Sequence, residues 1–584
     1  TYYQKSQDVR NPVAMIDLTN DNTETDRILA NVTGTLDLWK GLKYKMNVAF
    51  DETKASRKVT QDKQLIYMSD KGTANINNVE ASNFLIENYL TYDFKVKDIH
   101  KFNLLAGHSY QKFRNYWYGF SETGFDIDNI DYLYDLSFGK NTDITGTSNI
   151  TVNELQSFFG RVNYNLLDKY LLTANFRVDG STKFGENNKY GFFPSAAFAW
   201  RMSEEQFIKS LNVFDNLKLR LSWGITGNQE IPNKISQIKL GSTDGAVLDG
   251  GTTVTQGVTL TRTPNPDLKW ERTEQINIGF DFAILKNRLS GTFDFFSKTT
   301  KDVLLQVYSI SPAPTTQVWS NVPDMKIVNN GFEVGLNGVI IDTKDWRWNA
   351  GVNFSSITNK VKNLPMSSIT TGNPSGPGIT GFSSQIIKSG YPIGTFWGYN
   401  FLGFDENGKS IYEKDADGKV VEKCIGNAQP DFSLNFNTSV AWKNFDVSLY
   451  FNSVVGNDIY NNLANVIDNL SMFSKGSNTT VHATQTNEAF NNVLDYSSRY
   501  IEDGSYLRLS SATLGYTVPL KNKRYISNLR FTLTGNNLFV ITGYSGYDPE
   551  VNSNRTSNGV PALGIGWTNY PMARSYSLGV SIDF

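Results

Sequence analysis

The sequence is poor in the residues that build most chemical sites. Its 584 residues include one cysteine, Cys424, so an internal disulfide is excluded and no CxxC pair indicates a redox or zinc site. The three histidines, His100, His108 and His482, are too scattered to suggest a metal cluster, and no nucleophile–base motif accompanies them. The sequence therefore predicts a protein that is not an enzyme and uses no cofactor or metal.

Long apolar runs and excess charge of one sign are also missing. No run of about 18 apolar residues occurs, so no membrane-spanning helix is predicted. The 55 Lys and Arg residues nearly balance the 57 Asp and Glu residues, which argues against a nucleic-acid partner because such proteins need a basic surface. The mean hydropathy of -0.36 usually indicates a soluble protein. A membrane β-barrel gives the same value, since only alternate strand residues face lipid.

Aromatic residues and glycine are abundant, with 37 Phe, 29 Tyr, 11 Trp and 47 Gly, as is typical of β-rich chains with many turns. The dominant pattern is a period of two. Between Asp431 and Trp442, Phe, Leu and Val alternate with Asp, Ser and Asn, and the alternation resumes after the Lys443-Asn444 pair. This pattern predicts a hairpin with one apolar and one polar face.

The same alternation predicts 17 strands. An upward strand should precede the first of them, and Thr1–Val9 is interpreted as its tail, which makes about 18, an even number as bacterial barrels require. The 17 predicted strands are 28–39, 43–57, 80–96, 101–119, 153–166, 169–183, 190–203, 216–228, 269–283, 288–303, 328–341, 346–359, 431–442, 445–457, 499–518, 528–543 and 571–584.

The connections between these strands alternate between short turns and, with one shorter exception near 184–189, long polar stretches. This rhythm predicts an all-β transmembrane antiparallel β-barrel with short periplasmic turns and long extracellular loops. A soluble β-sandwich is the alternative, but it shows no such rhythm and rarely reaches this size as one domain. The longest predicted loops lie near 58–79, 120–152, 229–268, 304–327, 360–430, 458–498 and 544–570.

Several segments, in this order and spacing, resemble the SusC/RagA-like family of TonB-dependent outer-membrane transporters, and the resemblance covers essentially the whole chain. The segments are FFGRVNYNLLDKYLLTANFRVDGSTKFGENNKYGFFPSAAFAWR (158–201), LKLRLSWGITGN (217–228), PNPDLKWERTEQINIGFDFAILKNRLSGTFDFFSKTTKDVL (264–304), SGYPIGTFWGY (389–399), IGNAQPDFSLNF (425–436), SSRYIEDGSYLRLSSATLGYTVP (497–519), GNNLFVITGYSGYDPE (535–550) and YPMARSYSLGVSIDF (570–584).

The resemblance implies a 22-stranded barrel preceded by a plug domain and a TonB-contacting segment. Residues 1–584 are then expected to be the barrel of such a receptor, incomplete, with the plug, the TonB-contacting segment and the first strands absent. The resemblance further implies import of a large nutrient, a glycan or a peptide, across the outer membrane of a Bacteroidota-type bacterium. The implied partners are a SusD-like surface lipoprotein, TonB through the absent N-terminal part, the substrate and outer-membrane lipid.

Two other functions stay open on the sequence. A passive porin is a complete barrel of about 18 strands with an open water channel. A structural or adhesive surface barrel would use its long loops only to bind partners. The gene sequence upstream of Thr1 would separate a porin from an importer, and uptake of a labelled substrate, or its absence, would separate an adhesive barrel from an importer.

The candidate substrate contacts are loop residues, because exposed aromatic rings stack on sugar rings through their apolar faces. For each of them, packing within the loops or against a partner lid is the competing interpretation. The candidates are Trp319, Trp397, Tyr399, Asn400 and Trp567.

Three further features are structural in this interpretation. The terminal Phe584 ends the last alternating strand and is interpreted as a signal for barrel assembly. The stretches beginning at Asp405 and Asp415 resemble calcium loops, but they lack the closing Glu and also fit ordinary Asx–Gly turns. Aromatic residues near strand ends predict a girdle at the water–lipid interface: Tyr116, Trp117, Tyr118, Phe120, Phe192, Phe193, Trp200 and Trp442.

Overall fold

Strands dominate the structure, a computed structural model that describes residues 11–65, 72–126, 133, 135–140, 144–247, 254–473, 478–520, 525–551, 556 and 560–584. Within these residues, 17 strands belong to one large sheet. They are β1 Thr19–Trp39, β2 Leu42–Gln61, β3 Thr73–Val96, β4 His100–Thr123, β5 Thr145–Leu166, β6 Tyr170–Ser181, β7 Tyr190–Arg201, β8 Phe214–Asn228, β9 Glu271–Ile284, β10 Leu289–Lys301, β11 Lys326–Asp342, β12 Trp346–Lys362, β13 Phe432–Trp442, β14 Phe445–Val455, β15 Tyr506–Thr517, β16 Asn528–Thr542 and β17 Ser575–Asp583.

Every one of the 17 predicted strands overlaps one of these strands, and the alternation of short and long connections is confirmed. The proposed tail strand, Thr1–Val9, lies outside the described residues. The agreement has a physical cause: a residue period of two is a direct property of the strand backbone, so it survives whatever the strand packs against.

The chain divides into two units. The first comprises Thr1–Tyr164, Ala174–Pro194 and Gln229–Trp270. In it β1, β2, β3 and β4 pair antiparallel in sequence order. A separate hairpin pairs Lys239–Val247 with Val254–Arg262.

The first unit also corrects one expectation. Phe193 does not join an exposed girdle: it is buried and meets Trp270 edge to face, with ring centroids 5.3 Å apart. Phe184 packs on the same indole at 4.5 Å. The Trp270 side chain covers Phe193, whereas the neighbouring Phe192 stays exposed. Adjacent strand residues point to opposite faces, so only one of the two can be interfacial.

The second unit comprises Asn165–Thr173, Ser195–Asn228 and Glu271–Phe584. Its strands β8 to β17 pair antiparallel in unbroken sequence order. Near the short turns, the Trp346, Trp442, Phe445 and Tyr516 rings form a chain of neighbours across four strands, with centroids 4.6–6.3 Å apart. This placement agrees with the expected interfacial role of Trp442.

One face of these strands is apolar and exposed. On β9 the exposed side chains are Ile276, Ile278 and Phe280, with relative exposures of 52%, 40% and 40%. Large apolar side chains left in contact with solvent at this density indicate a surface that something apolar covers. The β9 residues that alternate with them, Asn277, Gly279 and Asp281, face the other way.

The polar face carries ion pairs that pass over a glycine. Arg220 on β8 donates two hydrogen bonds, of 2.9 and 3.0 Å, to Asp294 on β10. The strand between them, β9, has Gly279 opposite both residues. A Cβ on Gly279 would lie 2.4 Å from the Asp294 carboxylate, so glycine is what lets the pair form. Gly515 on β15 does the same between Asp446 and Arg530.

The remaining elements are short. The helices are α1 Pro12–Asp17, α2 Gln206–Lys209, α3 Asn462–Ile467, α4 Leu470–Phe473 and α5 Val481–Thr484, with 3₁₀ turns at Leu136–Phe138, Met202–Glu204 and Ser498–Tyr500. Across the described part of the chain, none of these helices has the length and apolar character needed to span a membrane. The second unit's short strands are Leu304–Tyr308, Gln317–Asn321, Ile369–Thr371, Gln385–Ile387, Thr395–Tyr399, Phe401–Phe404, Ser410–Tyr412, Glu422–Asn427, Asp458–Asn461, Ile501–Asp503 and Ile565–Gly566.

Candidate functional site

Three long connections of the second unit fold together into what we call the loop layer: the described residues of 363–431, 456–505 and 543–574. They join β12 to β13, β14 to β15 and β16 to β17. Alternate connections of an antiparallel meander lie at the same edge of the sheet, so these three start close together. Most loops of this length have no structure of their own or carry a function.

Backbone pairing ties the three segments to one another. Asp458–Asn461 pairs antiparallel with Ile501–Asp503 and parallel with Ile565–Gly566. The first segment contributes a four-stranded sheet built from Ile369–Thr371, Gln385–Ile387, Thr395–Tyr399 and Glu422–Asn427. A layer with its own sheets holds side chains in fixed positions better than an irregular loop does.

Buried polar contacts complete the layer. The Gln385 side chain donates to the Leu563 carbonyl at 2.6 Å and accepts from the Leu563 amide at 3.2 Å. The Tyr496 hydroxyl donates to the Ser384 carbonyl at 3.0 Å. Burial raises the pKa of Tyr496 well above its ordinary value, so the hydroxyl keeps its proton and stays a donor. The apolar core around Tyr496 includes Ile379, Phe396, Tyr460, Tyr500, Ala562 and Ile565.

An ion pair lies inside the layer. The Arg499 guanidinium donates to both carboxylate oxygens of buried Glu488, at 2.9 and 2.8 Å. Three rings surround the guanidinium, with centroids 4.9 to 5.7 Å away: Phe401, Phe404 and Tyr500. Arg499 thus joins a ring-bearing hairpin of the first segment to the second segment through charge and cation–π contacts.

The Glu488 carboxylate is held in its charged form. Burial raises its pKa, but the hydrogen bonds from Arg499 and Asn492 lower it more, so the pKa lies below the ordinary value. The Leu470 amide adds a further hydrogen bond at 3.1 Å. The pair is therefore fixed at neutral pH.

Beside this ion pair the loop layer encloses a cleft of about 570 Å³. Its apolar lining comes from rings and aliphatic side chains, and its polar lining includes two carboxylates and an imidazole. The cleft residues are Phe401, Phe404, Asn461, Leu463, Ala464, Ile467, Asp468, Thr480, His482, Thr486, Arg499, Tyr500, Glu502, Ser545 and Gly546. Concave, mostly apolar sites with a few placed polar groups are typical of ligand pockets.

The two carboxylates of the cleft are held in place by neutral donors. Glu502 accepts from the Asn461 amide at 2.8 Å and from the Ser545 backbone amide at 2.7 Å. Asp468 accepts from the Thr480 hydroxyl and faces His482, whose Nδ1 lies 2.8 Å from its Oδ2. The arrangement fixes the direction of both carboxylates and leaves them acceptors toward a ligand.

None of the five predicted substrate contacts lines this cleft. Trp397, Tyr399 and Asn400 lie on one segment of the loop layer and already have partners there: Trp397 meets Tyr391 edge to face, and the Asn400 side chain donates to Glu413 at 2.7 Å. Trp567 lies half-buried elsewhere in the layer. Trp319 is outside it, in the hairpin formed by Leu304–Tyr308 and Gln317–Asn321.

The cleft residues themselves escaped the sequence analysis. Arg499 and Glu502 lie within SSRYIEDGSYLRLSSATLGYTVP, a segment that indicated the family resemblance and whose charges predicted no site. Phe401 follows Asn400 directly, so the prediction came within one residue of the lining. Arg499, Tyr500 and Glu502 fall in the predicted strand 499–518, so the sequence pattern gave no signal that they belong to a loop.

The two calcium-like stretches form turns. The Asp405 carboxylate accepts the amides of Asn407 and Lys409 at 2.9 and 2.8 Å, and Asp415 repeats the pattern with Asp417 and Lys419. These are Asx turns. Over the described ranges, no three His, Cys, Asp or Glu side chains are grouped as a metal site would need.

Comparison with known proteins places the chain among barrel receptors. The family model described as "TonB dependent receptor-like, beta-barrel" matches residues 2–538. TonB-dependent receptor P3 of Formosa agariphila is 32% identical over 618 residues, covering 99% of this chain and 60% of the relative. TonB-dependent receptor SusC of Bacteroides thetaiotaomicron is 32% identical over 465 residues, covering 75% of this chain and 44% of SusC.

Solved structures share the fold. The RagAB peptide importer in its open-open state superimposes with a TM-score of 0.84 at 23% identity, covering 98% of this chain and 62% of that one. The RagAB peptide transporter gives 0.82 at 24% identity. The chain spans about 60% of the length of the curated Formosa relatives it matches.

Proposed function

Because this chain belongs to the TonB-dependent receptor-like β-barrel family of the outer membrane, we propose that it is the barrel of an active importer. The cargo is a large nutrient, a glycan or a peptide. The observation that carries the proposal is the loop layer: three long connections at one edge of the sheet, folded around a cleft instead of left as separate loops. Long loops of such barrels face outward, where nutrients arrive.

The barrel is proposed to act with other components. A SusD-like surface lipoprotein would cover the loop layer, and TonB would supply energy through a plug domain in the remaining part of the protein. The relatives named TonB-dependent receptors and the likeness to SusC support this. Displacing the plug would open the passage, so the mechanism is binding followed by release inward, without covalent chemistry.

Uptake in the native bacterium tests the proposal. Cells that carry or lack the gene receive labelled oligosaccharides and labelled peptides, with TonB present or deleted. We expect uptake of one cargo class that needs both the gene and TonB. Affinity purification of the receptor from outer membranes should also recover a surface lipoprotein in near-equal amount.

Two results would replace the proposal. Uptake that needs the gene but continues without TonB, and that declines with solute size, would indicate a passive porin. Unchanged uptake with lost surface attachment would indicate an adhesive or structural barrel. Total surface amount of the receptor is the control, since a TonB deletion must leave it unchanged.

A further inference from the structure

The cleft has fewer free hydrogen-bond donors than free acceptors. Its donors are largely engaged within the protein: Asn461 donates to both Glu502 and Ser545, Thr480 to Asp468, and Tyr500 to the Asp468 carbonyl at 3.0 Å. The carboxylates retain acceptor capacity, because each oxygen can accept more than one hydrogen bond. The cleft is therefore better at accepting hydrogen bonds than at donating them.

The cleft also has more negative than positive side chains without a partner of opposite permanent charge. Arg499 is its one permanent cation, and Glu488, which is not part of the lining, opposes that charge through two hydrogen bonds. Asp468 and Glu502 receive hydrogen bonds from neutral groups and from His482. Among the residues that line the cleft, no Lys or Arg side chain is bonded to either carboxylate.

An apolar floor accompanies these charges. Phe401, Phe404, Leu463, Ala464 and Ile467 give most of the exposed lining an apolar character. A glycan hydroxyl both donates and accepts hydrogen bonds, whereas the donors of this cleft are largely engaged within the protein, so the cleft matches a glycan less well than a ligand that only donates. A group that is cationic at one end and apolar along its body matches both features of the cleft.

We propose that this cleft binds a peptide segment in which a cationic group lies beside an apolar side chain. The ammonium or guanidinium would contact Glu502 or Asp468, and the apolar side chain would pack on Phe401, Phe404 and Ile467. The inference rests on the proposed import function, since it takes the cleft to face incoming nutrient, and it names the substrate class of that site.

Charge-matched peptides test it. The full-length receptor, purified from outer membranes with any lipoprotein that accompanies it, is titrated with three fluorescent tetrapeptides. They differ at one position, Lys, Gln or Glu, beside a leucine. We expect the Lys peptide to bind about 10-fold more tightly than the Gln peptide, as a charge-assisted hydrogen bond gives, and the Glu peptide to bind most weakly.

Variants locate the effect. Glu502→Gln can keep the oxygen that accepts from the Asn461 amide and the Ser545 hydroxyl. It loses the acceptor of the Ser545 backbone amide and removes the charge, so the Lys preference should fall several-fold. Asp468→Asn is the second charge-removing variant. Glu406→Gln, an exposed turn residue of the same loop layer outside the cleft, should keep the full preference. Circular dichroism and recovery of the lipoprotein check that each variant is folded.

Three results would overturn the inference: equal binding of the three peptides, a Lys preference unchanged in both cleft variants, or binding of maltoheptaose but of no peptide. TonB-dependent uptake would survive any of them, leaving the import function standing. The opposite outcome, a Lys preference lost in the cleft variants together with uptake that ignores TonB, would overturn the import function alone.

Discussion

At the scale of single residues, the Arg499–Glu488 pair is the most demanding contact of the loop layer. A buried ion pair contributes little net stability compared with apolar replacements, but a buried charge that loses its partner is strongly destabilising. Glu488 is buried and has few routes to water. The pair therefore acts mainly to hold the Arg499 guanidinium against its three neighbouring rings and to keep the two loop segments in one arrangement.

Arg499→Met should destabilise the loop layer by about 3–5 kcal/mol because it leaves the Glu488 carboxylate buried without its cation. Hydrogen exchange of residues 456–505 measures the effect. The double variant Arg499→Met with Glu488→Leu is the control, and it should regain most of the lost protection. Equal loss in both variants would mean that packing of Arg499 on the rings, and not the charge, is what matters.

The lowered pKa of Glu488 predicts an acid-sensitive loop layer. A carboxyl whose folded pKa lies below its unfolded value of about 4.3 stabilises the fold above that value. This contribution is lost as the pH falls below about 4 toward the folded pKa. Protection of residues 456–505, corrected for intrinsic exchange rates, should be constant from pH 5 to 8 and then fall. In Glu488→Gln the acid step should shrink, and an unchanged step would assign it to other groups.

At the scale of the strand, the two faces of the sheet differ: one is apolar and exposed, and the other is polar and carries ion pairs between strands. On the polar face, the ion pairs Arg220–Asp294 and Asp446–Arg530 each join two strands across the strand between them, at a glycine of that middle strand. Such a bridge links strands that share no backbone hydrogen bonds. The ion pair therefore needs the glycine at that position as much as it needs the two charged side chains.

Gly279→Ala should lower stability by about 1–3 kcal/mol, because the added methyl would displace Asp294 or Arg220 from their pair. Gly338→Ala on β11 is a matched control, since the nearest atom to its Cβ, the Ala350 carbonyl oxygen, lies 3.9 Å away. Urea unfolding in lipid vesicles compares the two. Similar costs at both positions would show that strand propensity, and not the bridged ion pair, explains the loss.

The apolar face makes a second prediction. Ile278→Arg should cost about 2–4 kcal/mol in a bilayer, the usual penalty for arginine on a lipid-facing position near the midplane. Asn277→Arg changes the adjacent residue on the opposite face and should cost far less. Folding yield in vesicles reports both. A larger cost for Asn277→Arg would mean that the two faces are assigned the wrong way round.

At the scale of the whole molecule, assembly in the outer membrane is the property to test. Phe584 follows β17 and is 90% exposed. Packing within the protein therefore does not explain why an aromatic residue occupies this position. Phe584→Ala should lower the assembled amount in the outer membrane several-fold without changing the stability of protein folded in vitro. Tyr576→Ala, an exposed aromatic residue of the same strand, is the control. Equal loss in both would point to strand hydrophobicity instead of a terminal signal.

The sequence was sufficient for the sheet and insufficient for the site. β9 could be predicted because Ile276, Ile278 and Phe280 alternate with polar residues whatever surrounds them. The cleft could not, because its residues have no local pattern and come from distant parts of the chain: Arg499 meets the ring of Phe401, about a hundred residues earlier, and Asp468 and Glu502 line the same cleft. Trp397 and Tyr399 are partly exposed, and each ring also contacts a tyrosine of the same loop segment, a contact that no sequence pattern reveals.

The links inside the loop layer also set an order of events during biogenesis. The Thr371 hydroxyl donates to the Val560 carbonyl 189 residues later, and Gln385 reaches Leu563 across 178 residues. Such distant contacts close slowly, because the intervening chain must first be held in place. The segment 363–431 therefore has to wait, already synthesised, until residues 543–574 exist, so the loop layer closes late in the folding of the second unit.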